Sequence, residues 1–156
     1  MDVKLLKYES YLKMVKNSVG TKVFRSLYLK IDGKKIDATH NGILSCSYFV
    51  SNILLVWGLI KEGHANVENT IKDMLNNGWE EIPKNGIRPG DIIVWEKEKS
   101  KYNFKHCNAE HLHNGFYVGD KKAISNNEFK KTPIIHSWDY NGKRKIIAVY
   151  RCPLNK

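Results

Sequence analysis

Apolar positions follow two regimes along the chain. Up to about residue 78 they recur every three or four positions, and beyond Pro83 they gather into short runs between turn residues. Leu5, Tyr8, Leu12 and Val15, with lysines between them, predict an amphipathic helix to about Ser18, with Gly20 as its stop. Residues 22–36 are mixed, and Asp32-Gly33 predicts a turn between two short extended pieces. Asn41-Gly42 ends a loop. From Cys46 onward, Phe49, Val50, Ile53, Leu54 and Trp57 predict a buried helix running to about Ile60. Val67, Ile71, Met74 and Leu75 predict another, stopped at Gly78.

The second half changes period. Arg88-Pro89-Gly90-Asp91 leads into a strand over 92–95, and the charged stretch 96–110 predicts an exposed loop or extended hairpin. Residues 115–118, 123–125, 133–138 and 145–151 predict four further strands, with turns at Gly119-Asp120 and Asn141-Gly142. Helices followed by an antiparallel meander indicate an α+β fold. Without a repeat or linker, the expectation is one domain over residues 1–156, with 1–40 a helical lead-in and 41–156 the core carrying the chemistry.

Composition narrows the class. At 156 residues, 42% hydrophobic and 27% charged, the chain can bury a core, which excludes wholesale disorder. The longest strongly apolar run, 53–60, is far short of the ~18 residues a transmembrane helix needs. Charges at Asp2, Lys4 and Lys7, with no apolar stretch before a small-residue cleavage site, predict no signal peptide. The protein is then expected to be cytoplasmic as made, or released by another system.

The net charge of +10, from 26 basic against 16 acidic residues, is uneven: +5 over residues 1–40, −2 over 41–100 and +7 over 101–156. Such a chain suits polyanions, among them a phosphate-bearing wall polymer, although a lysine-rich solvated surface reads the same way. No RNA-binding aromatic box, zinc-finger spacing or helix-turn-helix points to nucleic acid. Three cysteines, Cys46, Cys107 and Cys152, leave at least one free thiol.

Cys46 opens a predicted buried helix. Free N–H groups and partial positive charge at a helix N-terminus favour a thiolate and could hold an oxyanion; the plain alternative is a small buried side chain. A nucleophilic cysteine needs a base, and the candidates are His40, His64, His106, His111, His113 and His136. His113 opens a predicted strand beside Gly115. Ser125, Asn126 and His136, on the following strands, are candidates to orient it. A rival site, His106-Cys107-Asn108-Ala109-Glu110-His111-Leu112-His113, holds metal-binding side chains but no standard zinc spacing. Ser137 and His136 are adjacent on a strand and point to opposite faces, which argues against a serine triad there. Trp57, Trp79, Trp95 and Trp138 suit either sugar stacking or core packing. Lys143-Arg144-Lys145 reads as a solvated turn able to meet anionic polymer.

Three motifs carry a family resemblance. Ser45-Cys46-Ser47-Tyr48-Phe49-Val50-Ser51 resembles the Asp-Cys-Ser-Gly-Phe-Val helix start of NlpC-type and CHAP-type cysteine peptidases. Arg88-Pro89-Gly90-Asp91-Ile92-Ile93-Val94-Trp95 resembles their Pro-Gly-Asp-Leu-Val-Phe strand, and residues 113–120 their His-Val-Gly-Ile-Tyr-Val-Gly-Asp strand. The motifs stand in the family's order over residues 40–127. The resemblance implies a papain-like α+β fold and a thiol hydrolase of peptide or amide bonds, most often in bacterial peptidoglycan, with no cofactor. It implies Cys46 as nucleophile and His113 as base. Ser125 stands where the family often has histidine, and Asn126, one residue on, is the chemically preferred orienter. Ser45 replaces the usual acid, Tyr48 the usual glycine, and Tyr28 is a loose match to the family's upstream tyrosine. A phage or prophage lytic product would fit the expected lack of a signal peptide. Competing classes are a non-catalytic wall- or protein-binding module on the same fold and a thiol acyltransferase or amidase with another substrate.

Overall fold

The computed structural model describes residues 1–102 and 109–155. Helix α1 (Lys7–Asn17) buries Tyr11 and Val15, spaced four apart, and leaves Leu5 outside the helix and exposed. Its two tyrosines hold a turn: the Tyr8 hydroxyl donates to the Pro89 carbonyl at 2.7 Å and that of Tyr11 to Gly90 at 2.8 Å. Strands β1 (Tyr28–Ile31) and β2 (Lys34–Asp37) form a separate hairpin across the expected Asp32-Gly33 turn. Both turn residues take positive φ, 48° and 77°, as a twisted two-residue hairpin requires.

Helix α2 (Cys46–Val56) stops a turn before the expected Ile60. Gly58 is left-handed, at φ 63°. Its N–H donates to the Leu55 carbonyl and that of Leu59 to Leu54, the double bond that closes a helix on glycine. Leu59 and Ile60 leave the helix yet stay buried. Helix α3 (Val67–Asn76) starts on the Asn66 side chain, which accepts from the Asn69 N–H, and buries Val67, Thr70 and Met74 while Leu75 is exposed.

The main sheet holds β3 (Glu80–Glu81), β4 (Ile92–Lys99), β5 (Glu110–Gly119), β6 (Lys122–Asn127), β7 (Thr132–Ser137) and β8 (Ile146–Arg151), in the order β3-β8-β4-β5-β6-β7. Every pairing is antiparallel. The α+β expectation holds, with two corrections. Residues 96–99 and 110–114, expected in or beside an exposed loop, belong to strands, so His113 lies inside β5 rather than at its start. The meander runs only from β4 to β7, and β8 returns to the far side of β4.

Strand alternation divides the core. One sheet face presents Ile92, Val94, Phe116, Ile124 and Tyr150 to α1 and α2. The other presents Ile93, Trp95, Tyr117 and Ala123, covered by Trp138 and Tyr140. No helix among the described residues is long and apolar enough to cross a membrane.

Candidate functional site

The loop entering α2 is built from backbone hydrogen bonds to one carboxylate. Asp37 accepts from the N–H groups of Leu27, Thr39 and Asn41 and from the Thr39 hydroxyl. Burial alone would raise its pKa, but these donors hold it below the usual value. Gly42 sits at φ 91°, where a Cβ would meet Arg25 and the Lys131 carbonyl at 2.9 Å. The Ser45 hydroxyl donates to the Phe24 carbonyl and not to the helix, so no side chain caps the N-terminus of α2. A buried chain then fixes the helix on the sheet: the Asn114 amide donates to Ser47 Oγ at 3.2 Å, and Ser47 Oγ lies 3.0 Å from Thr70 Oγ1.

Cys46, the first residue of α2, is half-buried and lines a cavity of about 560 Å³. His113, Tyr140, Arg144, Asn126 and Leu44 line the same cavity. The structure thus brings Cys46 and His113 to one space. No hydrogen bond joins the thiol to the imidazole among the described residues. Burial pushes the Cys46 thiol above its ordinary value; the N–H groups of Asn114 and Ser47 and the Arg144 charge pull the other way without prevailing. This corrects the expectation of a thiolate favoured by the helix terminus: desolvation outweighs the dipole. Burial also holds His113 well below the usual imidazole value, reinforced by the Arg144 charge and by coupling to the nearby His136 ring. Both shifts run toward a neutral thiol and a neutral imidazole at rest.

His113 meets Ser125, not Asn126. The His113 Nε2 to Ser125 Oγ distance is 2.9 Å. Asn126 faces the other side of β6, where its amide donates to the Gly42 carbonyl at 2.8 Å and ties the loop before α2 to the sheet. The physical reason is register. Phe116 pairs with Ile124, and strand alternation then puts Ser125 on the side of His113 and Asn126 on that of Asn114. Ser125 also contacts His136 Nε2 at 2.7 Å and the Tyr140 hydroxyl at 3.0 Å. It is 1% exposed and does not line the cavity.

Aromatic rings enclose this group. Trp95 lies against both imidazoles, with centroids 5.2 Å from His113 and 5.7 Å from His136, and Tyr140 stacks on His136 at 4.2 Å. Tyr140 is a site residue that the sequence pattern did not single out, and Arg144 is one that it placed outside the site. Arg144, expected in a solvated turn, folds inward: its guanidinium donates to the Glu96 and His111 carbonyls and lies 3.6 Å from Glu98. The one available signal was Asn141-Gly142, which reverses the chain at positive φ beside Tyr140.

The remaining candidates fall elsewhere. His40 and His111 line the cavity, while His64 pairs with Asp73 at 2.8 Å. Tyr28 is exposed in the β1–β2 hairpin. His106 and Cys107, half of the rival metal motif, lie outside the described residues; among the described residues no group of three His, Cys, Asp or Glu side chains is placed to hold a metal ion. No tryptophan lines the cavity, and Trp79 and Trp95 are core residues. The motif aspartate, Asp91, is fully buried and structural: it accepts from the N–H groups of Arg88 and Cys152 and from the Arg151 guanidinium.

No protein-family model matches the chain, and no curated protein sequence does. Among solved structures the chain is similar to NlpC2 from Trichomonas vaginalis, at 18% identity and a TM-score of 0.54. The likeness covers 97% of this chain and 49% of that one, so the chain spans about half the length of that neighbour. At this identity the likeness is one of fold: three helices on a small antiparallel sheet, arranged as in an NlpC protein.

Proposed function

We infer that the protein is a cysteine hydrolase of peptide or amide bonds, with bacterial peptidoglycan as the favoured substrate. The observation that carries this reading is the shared cavity, in which Cys46 stands at an uncapped helix N-terminus and the half-buried His113 imidazole has its Nε2 already engaged. The fold likeness to an NlpC protein supports the reaction class.

The chemistry follows from a neutral pair. Substrate entry brings the scissile carbonyl to the Cys46 sulfur. Sγ attacks, and its proton passes to His113 Nδ1, the ring nitrogen that Ser125 leaves free. The backbone N–H of Cys46, at the positive end of α2, receives the developing oxyanion. His113 returns the proton to the departing amine, and water cleaves the thioester. Arg144, whose charge is felt by both groups, stabilises negative charge as it forms.

The test is digestion of purified peptidoglycan, followed through soluble fragments and new amino ends. Release by the parent protein and its loss in Cys46→Ala and His113→Ala is the expected result. No release by the parent, or equal release by Cys46→Ala, overturns the reading and leaves a binding module on the same fold.

A further inference from the structure

The hydrogen bonds around Ser125 have a direction, set at a carbonyl. His136 Nδ1 lies 2.7 Å from the Ser137 carbonyl oxygen, which can only accept, so Nδ1 carries a proton. Burial, assisted by the Lys122 charge and opposed by the Ser137 carbonyl, lowers the His136 pKa and keeps the ring neutral near pH 7. Its Nε2 is then a bare lone pair, and Ser125 Oγ, 2.7 Å away, must donate to it. A hydroxyl has one proton. Ser125 can therefore only accept from its two other neighbours, His113 Nε2 at 2.9 Å and the Tyr140 hydroxyl at 3.0 Å. One donor and two lone pairs are all used. His113 carries its proton on Nε2, and Nδ1 is unprotonated.

We propose that His136, acting through Ser125, is a positioning residue that holds His113 in the Nε2–H tautomer and so keeps Nδ1 as its basic nitrogen, while the Tyr140 hydroxyl only fills the remaining lone pair of Ser125. This rests on the reading of His113 as the base for Cys46. An amide oxygen or a carboxylate beside His113 would fix the tautomer alone, because it can only accept. A serine hydroxyl is ambivalent and needs His136 to take its proton. Trp95 and Tyr140, packed against the imidazoles, hold the rings in register. Ser125 is shut off from the cavity, so solvent does not replace either partner. During turnover the Cys46 proton moves to His113 Nδ1 as the S–C bond forms, and from Nδ1 to the amine as the C–N bond breaks. The Nε2–H to Ser125 bond persists and strengthens while the ring is cationic. No proton crosses Ser125.

The test is NMR correlation of ring nitrogens with ring protons in the parent protein, without substrate, which separates protonated from bare nitrogens. The expected result is a His113 ring protonated at Nε2 and a His136 ring protonated at Nδ1. In His136→Phe the Ser125 proton is free to turn to His113 Nε2, so Nδ1–H should appear. Peptidoglycan turnover should fall about 10- to 100-fold, toward the ~10⁴-fold loss of a fully wrong tautomer. His136→Gln, whose amide oxygen can accept from Ser125, should restore most of the turnover, and Tyr140→Phe should keep the tautomer. A parent His113 protonated at Nδ1, or a folded His136→Phe with its tautomer unchanged, overturns the proposal. A parent with the expected tautomer, shifted in His136→Phe, that digests nothing upholds the lock and overturns the hydrolase reading.

Discussion

Gly115 stands in mid-strand opposite Ile93, with a backbone outside the left-handed region, so its lack of a side chain answers to space rather than to conformation. A Cβ there would lie 2.7 Å from the Ile124 carbonyl oxygen, 2.7 Å from Ser125 Cβ and 3.1 Å from the far edge of the Trp95 ring. Comfortable contacts between carbon atoms begin near ~3.5 Å, so β6 would have to retreat by roughly 0.8 Å at Ser125. That strand is paired on both sides and cannot shift without straining two ladders. Gly115→Ala should therefore cost about 1–3 kcal/mol, as overpacking does elsewhere. For a chain of this size that is a fall in Tm of roughly 2–12 °C. Urea unfolding, with thermal melting beside it, measures the loss, and the His113 tautomer should become mixed because Ser125 is the group displaced. If glycine serves to admit substrate instead, Gly115→Ala will keep its stability and raise KM. A stability within about 0.5 kcal/mol of the parent refutes the packing argument.

Three further outcomes follow from buried groups. Asp91→Ala strands the Arg151 guanidinium and leaves the Arg88 and Cys152 N–H groups unpaired, so urea unfolding should show a loss of about 3–5 kcal/mol; a loss under about 1 kcal/mol contradicts the role given to Asp91. The folded pKa values of His113 and His136 lie below the unfolded ~6.5, so the unfolded chain binds protons that the folded one refuses. Their penalty is absent above ~6.5 and grows as pH falls, by up to about 1.4 kcal/mol per histidine per pH unit until the folded pKa is reached. Unfolding at pH 7 and 5 should show this acid loss, and His113→Gln should flatten it; an unchanged slope would count against burial as the cause. In a chain with Cys107 and Cys152 replaced by serine, Cys46 alkylation should rise with pH through an inflection above the ~8.5 of a free thiol. Arg144→Gln should move that inflection higher, and an inflection well below ~8.5 would show a resting ion pair instead.

Local features of this fold were legible in the sequence because they are short-range. Spacing located α1, α2 and α3, and Asp32-Gly33 located the hairpin. Gly58 carried the signal that ends α2 early, but the apolar Leu59 and Ile60 beyond it kept the helical rhythm because they stay in the core. Non-local pairing was not legible: nothing local says that β8 lies against β4 rather than β7. Charged residues 96–99 disguised a strand extension, since that end of β4 is exposed and polar side chains are tolerated there.

The candidate site divides in the same way. Cys46 and His113 stood out by type and by surrounding motif. The choice between Ser125 and Asn126 depended on the β5–β6 register, which one residue of slip would reverse. Tyr140 and Arg144 arrive from the turn before β8, so no spacing around Cys46 or His113 points to them. The thiol pKa went against expectation because a helix terminus is visible in sequence and the burial of its first side chain is not.

The central claim is that the Cys46 sulfur attacks a peptidoglycan amide while His113 takes its proton. Its most direct test is intact-mass spectrometry of the protein, quenched in acid seconds after mixing with purified peptidoglycan fragments. The account predicts a mass increment discharged by hydroxylamine, mapping to the peptide that contains Cys46, absent from Cys46→Ala and much reduced in His113→Ala. An adduct that persists in Cys46→Ala, or none in a parent protein that digests the same fragments, would contradict it.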